Sequence, residues 1–319
     1  MVAKIFIDGE AGTTGLEIRE RLAPRRDIEL MSIADDRRKD LGARRDMLNA
    51  ADIAILCLPD DAAKQSVSLI ENPETRVIDA STAYRVDPDW AYGFAEMTAD
   101  QASVIAASKR VANPGCYPQG VIACVRPLIE AGLLPADYPF TVNAISGYSG
   151  GGRKMIEDYE AMAPGEAPPW IPYALGFGHK HLPEMRSYSC MDIDPLFQPA
   201  VGAYKQGMVT MVPLQLGNLP ASVTGKTLHA AISDWFDPAS GFVEVADYAA
   251  VEKVPELDPR TLNGTNAMRL YVFANDARRQ VVLAAVYDNL GKGASGAAVQ
   301  NLNLMLGCDA RKSLAQEAA

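Results

Sequence analysis

The sequence predicts a two-domain α/β protein, in which a parallel sheet flanked by helices precedes a mixed α+β domain. The chain has 319 residues, of which 48% are hydrophobic, and this is enough to bury two cores rather than one. Short apolar runs alternate with helical stretches in the first eighty positions, whereas longer and less regular connections separate the later runs. A change from regular to irregular alternation indicates two kinds of sheet in succession.

Four short apolar runs, each bounded by turn residues, predict the sheet of the first domain. Helical or polar stretches separate the runs, and strands that alternate with such crossovers form a parallel sheet. The predicted strands are Lys4 to Asp8, Glu29 to Ala34, Asp52 to Leu58 and Arg76 to Ala80.

Four further runs with more varied connections predict the α+β domain. Asn275 and Asp276 supply turn chemistry between the last two of them, which predicts a hairpin. The final segment, Gly296 to Leu306, has apolar residues near helical spacing, and we expect this helix to pack on the first domain. The predicted strands are Thr141 to Ser146, Met208 to Leu214, Arg269 to Ala274 and Gln280 to Tyr287.

Composition limits the partners and the compartment. A formal net charge of -10 without a long basic run excludes a nucleic-acid or anionic-membrane surface, and no stretch approaches the roughly 20 apolar residues of a membrane span. Five scattered cysteines without CxxC spacing fit neither a disulfide framework nor a zinc site. The cysteine pattern, and a first segment that enters a strand at once without a signal peptide, predict a cytoplasmic protein. The net charge favours small-molecule partners. We expect no metal site.

A glycine-rich loop follows the first strand and opens a helix, and its residues are Gly9-Glu10-Ala11-Gly12-Thr13-Thr14-Gly15. Glycines let the backbone approach a pyrophosphate, and a helix amino terminus offers unpaired NH groups and a favourable dipole. The GxxGxxG spacing alone is a weak signal. Its place between strand and helix predicts a dinucleotide site at these glycines and threonines, and the alternative is a plain tight turn.

Charged residues at the end of the second strand distinguish NAD from NADP. Asp35 and Asp36 precede Arg37, Arg38 and Lys39. An acid binds a ribose hydroxyl, whereas arginines pair with the 2′-phosphate of NADP. Three consecutive cations favour NADP, with Arg37 and Arg38 as its ligands, and the alternative is a solvated charged loop.

Cys116 is the candidate nucleophile among the cysteines. It stands in Asn113-Pro114-Gly115-Cys116-Tyr117-Pro118, directly before a segment with one apolar helical face. At a helix amino terminus the dipole and free NH groups favour thiolate over thiol. The alternative is a buried structural thiol, as we expect for Cys57 and Cys124, which lie inside apolar runs.

Two of the three histidines, His179 and His181, stand together in the segment Gly178 to Glu184. A thiolate that accepts an acyl group needs a proton donor and acceptor nearby, and histidine is the usual choice. A polar loop is the alternative, as is a metal pair, although no third ligand stands at suitable spacing. The sequence does not decide which histidine acts.

Two later glycine-rich segments are candidates for binding polar ligands. Ser146 to Lys154 follows a strand and places backbone NH groups and hydroxyls beside Arg153 and Lys154, which suits a phosphate or carboxylate. Asp288 to Gly296 precedes the last helix and offers polar groups, Asn289 among them, to a cofactor. The alternatives are a mobile loop without a ligand and a simple connection between the domains.

These motifs together resemble those of the N-acetyl-gamma-glutamyl-phosphate reductase family. The resemblance spans about Ile5 to Leu306 and is strongest to the shorter branch of that family. The general plan is similar to that of aspartate-semialdehyde dehydrogenase. Lys180 stands where the longer branch commonly has arginine. The segments that carry the resemblance are the glycine loop, Asn113 to Pro118, Ser146 to Lys154, His179 to Glu184 and Asp288 to Ala294.

The resemblance implies a Rossmann-type NADP-binding domain over residues 1–115, completed by residues 296–319. It implies a catalytic and oligomerisation domain over residues 116–295, which assembles the chain into a homodimer or homotetramer. The implied reaction converts an acyl phosphate of N-acetylglutamate into the semialdehyde, as a step of arginine biosynthesis.

The resemblance also implies roles for particular side chains. Cys116 attacks the acyl phosphate, phosphate leaves, and NADPH reduces the resulting thioester. His179 or His181 manages the protons. The residues implied to position the substrate are Ser149, Arg153, Lys154 and Glu184, and those implied to approach the cofactor include Ser81 and Asn289.

Two other functions remain open at this point. One is a reductase of a related acyl phosphate, such as aspartyl phosphate or a carrier-linked aminoadipyl phosphate. The other is a redox sensor that binds NADP without turnover.

Overall fold

A computed structural model of the chain describes residues 2–236, 241–248 and 256–315. They divide into two compact units. The first extends to Gly115 and includes Ala294–Leu314, and the second consists of Cys116–Gly293 together with Ala315. In the described part of the chain, no helix is both long enough and apolar enough to cross a membrane.

The first unit contains a six-stranded sheet in the order β2-β1-β3-β4-β6-β5, with every neighbouring pair parallel. The predicted parallel α/β arrangement is therefore confirmed. Its strands are β1 (Ala3–Asp8), β2 (Ile28–Met31), β3 (Ile53–Leu56), β4 (Arg76–Asp79), β5 (Ala91–Tyr92) and β6 (Arg110–Ala112), and its first four helices are α1 (Thr13–Leu22), α2 (Leu41–Ala50), α3 (Asp60–Ser68) and α4 (Gln101–Ala107).

Alternation along the strands of the first unit builds a core on each face of the sheet. Ile5 and Ile7 of β1 pack with Ile18 of α1, whereas Phe6 packs on the other face with Leu48 of α2. Because both faces are covered, the strands are apolar throughout and end at the polar loops that follow them. The carboxyl ends of β1 and β3 are therefore free to position the glycine-rich loop.

The second unit contains a seven-stranded mixed sheet in the order β11-β12-β13-β10-β7-β9-β8, which confirms the predicted α+β domain. Its strands are β7 (Thr141–Gly147), β8 (Trp170–Pro172), β9 (Leu196–Gly202), β10 (Met208–Gln215), β11 (Val243–Val245), β12 (Met268–Asn275) and β13 (Gln280–Tyr287), and its helices are α5 (Cys116–Glu130), α6 (Gly152–Glu160), α7 (Leu182–Tyr188) and α8 (Gly225–Trp235). The antiparallel pairing of β12 with β13 is the predicted hairpin.

Helices α5 and α8 lie on the same face of this sheet. A Cβ atom on Gly120 of α5 would contact Tyr287 and Ala285, and one on Gly225 of α8 would contact Ala274. The strand β12 alternates between buried residues on this face and half-buried residues on the other. The opposite face therefore presents Tyr271 and Phe273, whose stacked rings lie 5.6 Å apart.

The chain returns to the first unit after β13. A π-helical turn, Gly291–Ser295, leads directly into the last helix, α9 (Gly296–Met305). Leu302 of α9 is fully buried in the same core cluster as Ile5 and Ile18. This confirms that the last helix packs on the first domain, and the first unit includes the chain from Ala294 onward.

Candidate active site

A cavity of about 450 Å³ lies within the second unit, beside the carboxyl ends of β7 and β9 and the first turn of α5. It brings Cys116, His179 and the glycine-rich loop after β7 together. The lining residues are Cys116, Tyr117, Ser146, Gly147, Gly150, Gly151, Met155, Tyr159, Ile171, Tyr173, His179, Lys180 and Val201.

Cys116 is the first residue of α5 and is half-buried, so its thiol lies at the helix amino terminus, as predicted from the sequence. Its backbone is held by Tyr287, whose hydroxyl donates to the Cys116 carbonyl oxygen at 2.7 Å. The same hydroxyl accepts from the Gly120 amide at 3.2 Å. Tyr287 thus stabilises the helical turn that carries the thiol.

The segment after β13 closes around the same turn. A Cβ atom on Gly293 would lie 3.1 Å from the Cβ of Cys116, so a larger side chain there would crowd the thiol. The Gln119 side chain donates to the Lys292 carbonyl oxygen at 2.7 Å. These contacts hold the first turn of α5 in place within the unit.

His179 lines the cavity, whereas His181, the residue that precedes α7, is buried and does not line it. The backbone NH of His181 donates to Nδ1 of His179 at 3.1 Å. A neutral imidazole that accepts at Nδ1 carries its proton on Nε2. His179 is therefore held as a hydrogen-bond donor at Nε2.

Aromatic rings surround His179. The rings of Tyr117, Tyr173 and Phe197 lie 6.1, 5.9 and 5.1 Å from it between centroids. Burial among them, aided by the charge of Lys180, lowers the pKa of His179 to about 4. His179 is consequently neutral at physiological pH.

The predicted substrate cations do not line the cavity. Arg153 and Lys154 lie on the exposed surface of α6, where they pair with Glu157 and Asp158 at 3.1 and 2.9 Å. Lys180 is instead the cation among the described lining residues, and the sequence marked it only as a departure from the longer branch. The pairing of the α6 residues follows from their spacing of four positions.

Ser149 and Asn289 contact each other instead of lining the cavity. The Asn289 amide donates to the Ser149 hydroxyl at 2.9 Å and accepts from the Gly207 NH at 2.8 Å. Backbone NH groups of residues 147–149 also donate to carbonyls of residues 204–207. This part of the predicted anion loop is therefore fastened to the β9–β10 connection, and its amides are already used.

Glu184 and two tyrosines complete the surroundings. Glu184 is buried in α7 and does not line the cavity. The Tyr173 hydroxyl donates to the Tyr117 hydroxyl at 3.3 Å, and Tyr117 donates to the Ala200 carbonyl oxygen at 3.3 Å. Sequence reasoning missed both tyrosines, since Tyr173 lies 57 positions from Cys116 in a segment without a motif.

The glycine-rich loop of the first unit connects β1 to α1. Gly9 has φ +91°, and a Cβ atom there would lie 2.3 Å from the Cys57 carbonyl oxygen. A Cβ atom on Gly15 would lie 2.4 Å from the Gly9 carbonyl oxygen. Only glycine fits at these two positions, and Gly12, Thr13 and Thr14 are thereby placed at the amino terminus of α1, where amide groups lack helical partners.

A second cavity, of about 320 Å³, lies beside this loop in the first unit. Arg38 and Lys39 line it, whereas Arg37 is exposed and pairs with Asp40 at 3.6 Å. Asp8 also lines it and is buried against Arg44, whose Nη2 lies 3.0 Å from the carboxylate. The buried arginine offsets the negative charge of Asp8, the residue that ends β1.

Ser81 follows β4 and is buried, with its hydroxyl donating to Asp79 at 2.6 Å. Burial raises the pKa of that carboxyl to about 6. The tightly packed glycine loop, the start of α1 and the basic cavity beside them fit the phosphates and adenosine of a nicotinamide dinucleotide. Among the described residues, no group of three or more His, Cys, Asp or Glu is placed to hold a metal ion.

Comparison with known proteins assigns a class to both units. Residues 4–105 match the family model described as semialdehyde dehydrogenase, NAD binding domain. Residues 116–289 match the model described as semialdehyde dehydrogenase, dimerisation domain. The class that these models define is that of the semialdehyde dehydrogenases, with a nicotinamide cofactor in the first unit.

Curated relatives narrow the class. A protein of Chelativorans sp. named N-acetyl-gamma-glutamyl-phosphate reductase is 66% identical over 96% of this chain and 99% of its own length. One of the same name from Mesorhizobium japonicum is 65% identical over 96% of this chain and 100% of its own length. The chain therefore belongs to the N-acetyl-gamma-glutamyl-phosphate reductase family, and the resemblance drawn from its motifs is confirmed.

Solved structures agree on the fold. Aspartate semialdehyde dehydrogenase II from Vibrio cholerae has a TM-score of 0.71 at 16% identity and covers 96% of this chain and 99% of its own. Aspartate semialdehyde dehydrogenase with NADP from Candida albicans has a TM-score of 0.67 at 14% identity, with the same two coverages. At these identities the likeness concerns the fold alone.

Proposed function

We propose that this chain reduces N-acetyl-gamma-glutamyl phosphate to N-acetylglutamate 5-semialdehyde with NADPH and releases phosphate, as a cytoplasmic step of arginine biosynthesis. The observation that carries the proposal is the cavity of the second unit, in which a cysteine at a helix amino terminus, a neutral histidine and a lysine meet. The names of the curated relatives support the choice of substrate.

The Cys116 thiolate opens the reaction. Dipole and NH groups at the start of α5 favour the thiolate, and its sulfur attacks the acyl carbon of the substrate. The C–S bond forms while the carbonyl oxygen takes up negative charge. When the C=O bond re-forms, the C–O bond to phosphate breaks, phosphate leaves and takes a proton from solvent, and a thioester remains on Cys116.

His179 stabilises the oxyanion. Its Nε2 carries the proton because Nδ1 accepts from the His181 backbone, and its lowered pKa keeps the ring neutral. A neutral donor of this kind binds a developing negative charge without giving up its proton. Since the thiolate itself is the leaving group of the second step, the cycle needs no separate base on the chain.

When bound, NADPH would supply a hydride to the acyl carbon of the thioester, which would leave a tetrahedral oxyanion attached to Cys116. Residues 9–15 would hold the pyrophosphate of the cofactor, and Arg38 with Lys39 would hold the 2′-phosphate that distinguishes NADP. The oxyanion on Cys116 then expels the thiolate and releases the aldehyde. The predicted roles of Arg37, Ser81 and Asn289 toward the cofactor remain predictions.

We infer that Lys180 binds an anionic group of the substrate, in place of Arg153 and Lys154. It lines the cavity beside His179, while the lining residues Met155, Ile171 and Val201 offer an apolar surface for an acetyl group. A lysine ammonium binds carboxylate or phosphate as a point charge.

Lys180→Met is expected to raise KM for the acyl phosphate by about tenfold or more, because an ion pair in a partly enclosed cavity is lost. Steady-state kinetics measure this. Arg153→Met is the matched control and should change KM less than about twofold, since Arg153 is exposed. Equal effects of the two substitutions would contradict the assignment.

The face of the second sheet that carries Tyr271 and Phe273 is the proposed contact surface of a homo-oligomer. Its apolar stacked rings lie opposite the face that α5 and α8 cover, and the family model is described as a dimerisation domain. Contacts between such faces would bury the half-exposed side chains of β12.

Phe273→Glu is expected to weaken self-association by about 100-fold, because it places a charge within that apolar surface. Light scattering with size-exclusion chromatography would report a lower mass than for the wild-type protein. Phe273→Leu keeps the surface apolar and should keep the wild-type mass. An unchanged mass for Phe273→Glu would place the contact elsewhere.

Turnover tests the proposed function directly. Purified protein should reduce NADP in the presence of phosphate and N-acetylglutamate semialdehyde, the reverse of the biosynthetic direction. A clear preference for aspartate semialdehyde would contradict the assigned substrate and indicate a reductase of a related acyl phosphate. Binding of NADP without turnover of either aldehyde would indicate a redox sensor.

A further inference from the structure

Glu10 occupies the glycine-rich loop between Gly9 and Ala11, where a carboxylate is unfavourable for a phosphate-binding segment. Its side chain is only 12% exposed, and its carboxylate lies 2.6 Å from Nη1 of Arg19. It also accepts from the Ser32 hydroxyl at 3.3 Å and lies 3.7 Å from Nη2 of Arg38. Three groups of the first unit therefore converge on one half-buried carboxylate.

The same carboxylate faces the cavity that Arg38 and Lys39 line. In sheets of this kind, a residue near the end of the second strand meets the adenosine ribose, where an acid binds the 2′-hydroxyl and an arginine binds a 2′-phosphate. Here β2 ends at Met31, and the next acid, Asp35, is 87% exposed in its pair with Arg38 at 2.7 Å. The less exposed acid near this position, Glu10, comes from the glycine loop instead.

We propose that Glu10 sets the discrimination between ligands with a 2′-phosphate and ligands with a 2′-hydroxyl, an inference that rests on the proposed NADP-dependent function. The carboxylate accepts a hydrogen bond from a ribose hydroxyl. It repels a 2′-phosphate and competes with it for Arg38. Glu10 thus restrains the preference for NADP that Arg38 and Lys39 create.

The residues around Glu10 support this direction of effect. Arg19 holds one carboxylate oxygen and also donates to the Ser32 hydroxyl at 2.7 Å, so Glu10 is positioned even without its contact to Arg38. The carboxylate is consequently held in one position beside the cavity, where it occupies cationic groups that a phosphate would otherwise bind. Removing the charge while keeping the shape leaves Arg38 with one acidic partner, the exposed Asp35, and removes the carboxylate that competes with an incoming phosphate.

Titration calorimetry with Glu10→Gln tests the proposal without any turnover. The Kd of NADP is expected to fall and that of NAD to rise, so that their ratio shifts toward NADP by about tenfold. The Kd of the fragment 2′-AMP, which carries the 2′-phosphate, should likewise fall, and that of 5′-AMP, which has a 2′-hydroxyl, should rise. A ratio that stays within twofold of wild type, or moves toward NAD, would overturn the proposal.

Asp35→Asn is the matched control, because it also removes a carboxylate bound to Arg38, but from a solvent-exposed position. The ratio of the Kd values of NADP and NAD should change less than about twofold in Asp35→Asn. If Glu10→Gln does not fold, Glu10→Met removes the charge with a side chain of similar length and should shift the ratio in the same direction. Binding measurements distinguish failure of this proposal from failure of the proposed function. If the ratio of the Kd values of NADP and NAD shifts but the protein is inactive, only the proposed function is wrong. If the ratio does not shift in an active protein, only the role of Glu10 is wrong.

Discussion

Replacing Cys116 by serine is expected to lower kcat/KM for acyl-phosphate reduction by at least about 10³-fold, because a serine hydroxyl at a helix amino terminus is not ionised as a thiol is. The substitution exchanges a single atom of a half-buried side chain, so we expect little change in packing. Stopped-flow and steady-state assays of NADPH oxidation would measure the loss. The affinity for NADP should stay within about twofold of wild type.

Cys190→Ser is the matched control. Cys190 belongs to the same unit and is also half-buried, but it does not line the cavity. Its replacement should leave the rate unchanged. Mass spectrometry of the wild-type protein with acyl phosphate and without NADPH should show one acyl group on Cys116. Substantial activity in Cys116→Ser, or an acyl group on another residue, would remove the thioester from the mechanism.

His179→Phe should lower kcat by about 10²- to 10³-fold, the usual effect of losing one donor to an oxyanion. Phenylalanine preserves the ring that packs among Tyr117, Tyr173 and Phe197. His179→Gln keeps an NH donor and should recover part of the rate. His181→Gln, on the buried neighbour, should alter the melting temperature more than the dependence of the rate on pH.

The dependence on pH distinguishes a donor from a base. Burial lowers the pKa of His179 to about 4, so the ring is neutral at every pH above that value. A donor role then predicts that His179 contributes no change in rate between about pH 5 and 9, and that His179→Gln retains the wild-type profile. A wild-type acidic limb near pH 6.5 that disappears in His179→Gln would show that the histidine acts as a base.

Local patterns in the sequence predicted most of the fold. The first four of the six strands of the first domain, the β12–β13 hairpin and the returning helix α9 were predicted because each has a clear periodicity or turn signal. By contrast, the short strands β5, β6, β8 and β11 were not predicted, and neither was the seven-residue strand β9. It contains Pro199, which interrupts the strand pattern, yet in the folded unit it pairs with β7 in parallel register.

The candidate site was predicted only where one segment carried the whole signal. Cys116 was predicted because it stands in a motif directly before a helix. Tyr173 and Lys180 line the same cavity only because β8, β9 and the segment before α7 come together in the folded unit. The cations Arg153 and Lys154 suggested an anion site by composition. Their spacing to Glu157 and Asp158 on α6 allowed ion pairs instead, and that outcome depends on where the helix begins.

The contacts that fix the Cys116 turn join residues far apart in the chain. Tyr287 is 171 positions from Cys116, and Lys292 is 173 positions from Gln119. During synthesis Cys116 therefore emerges long before the segment that positions it, and these contacts of high sequence separation form late. A protein released before Tyr287 would expose this thiol without its supporting turn, so full-length synthesis is itself a condition for assembling the nucleophile.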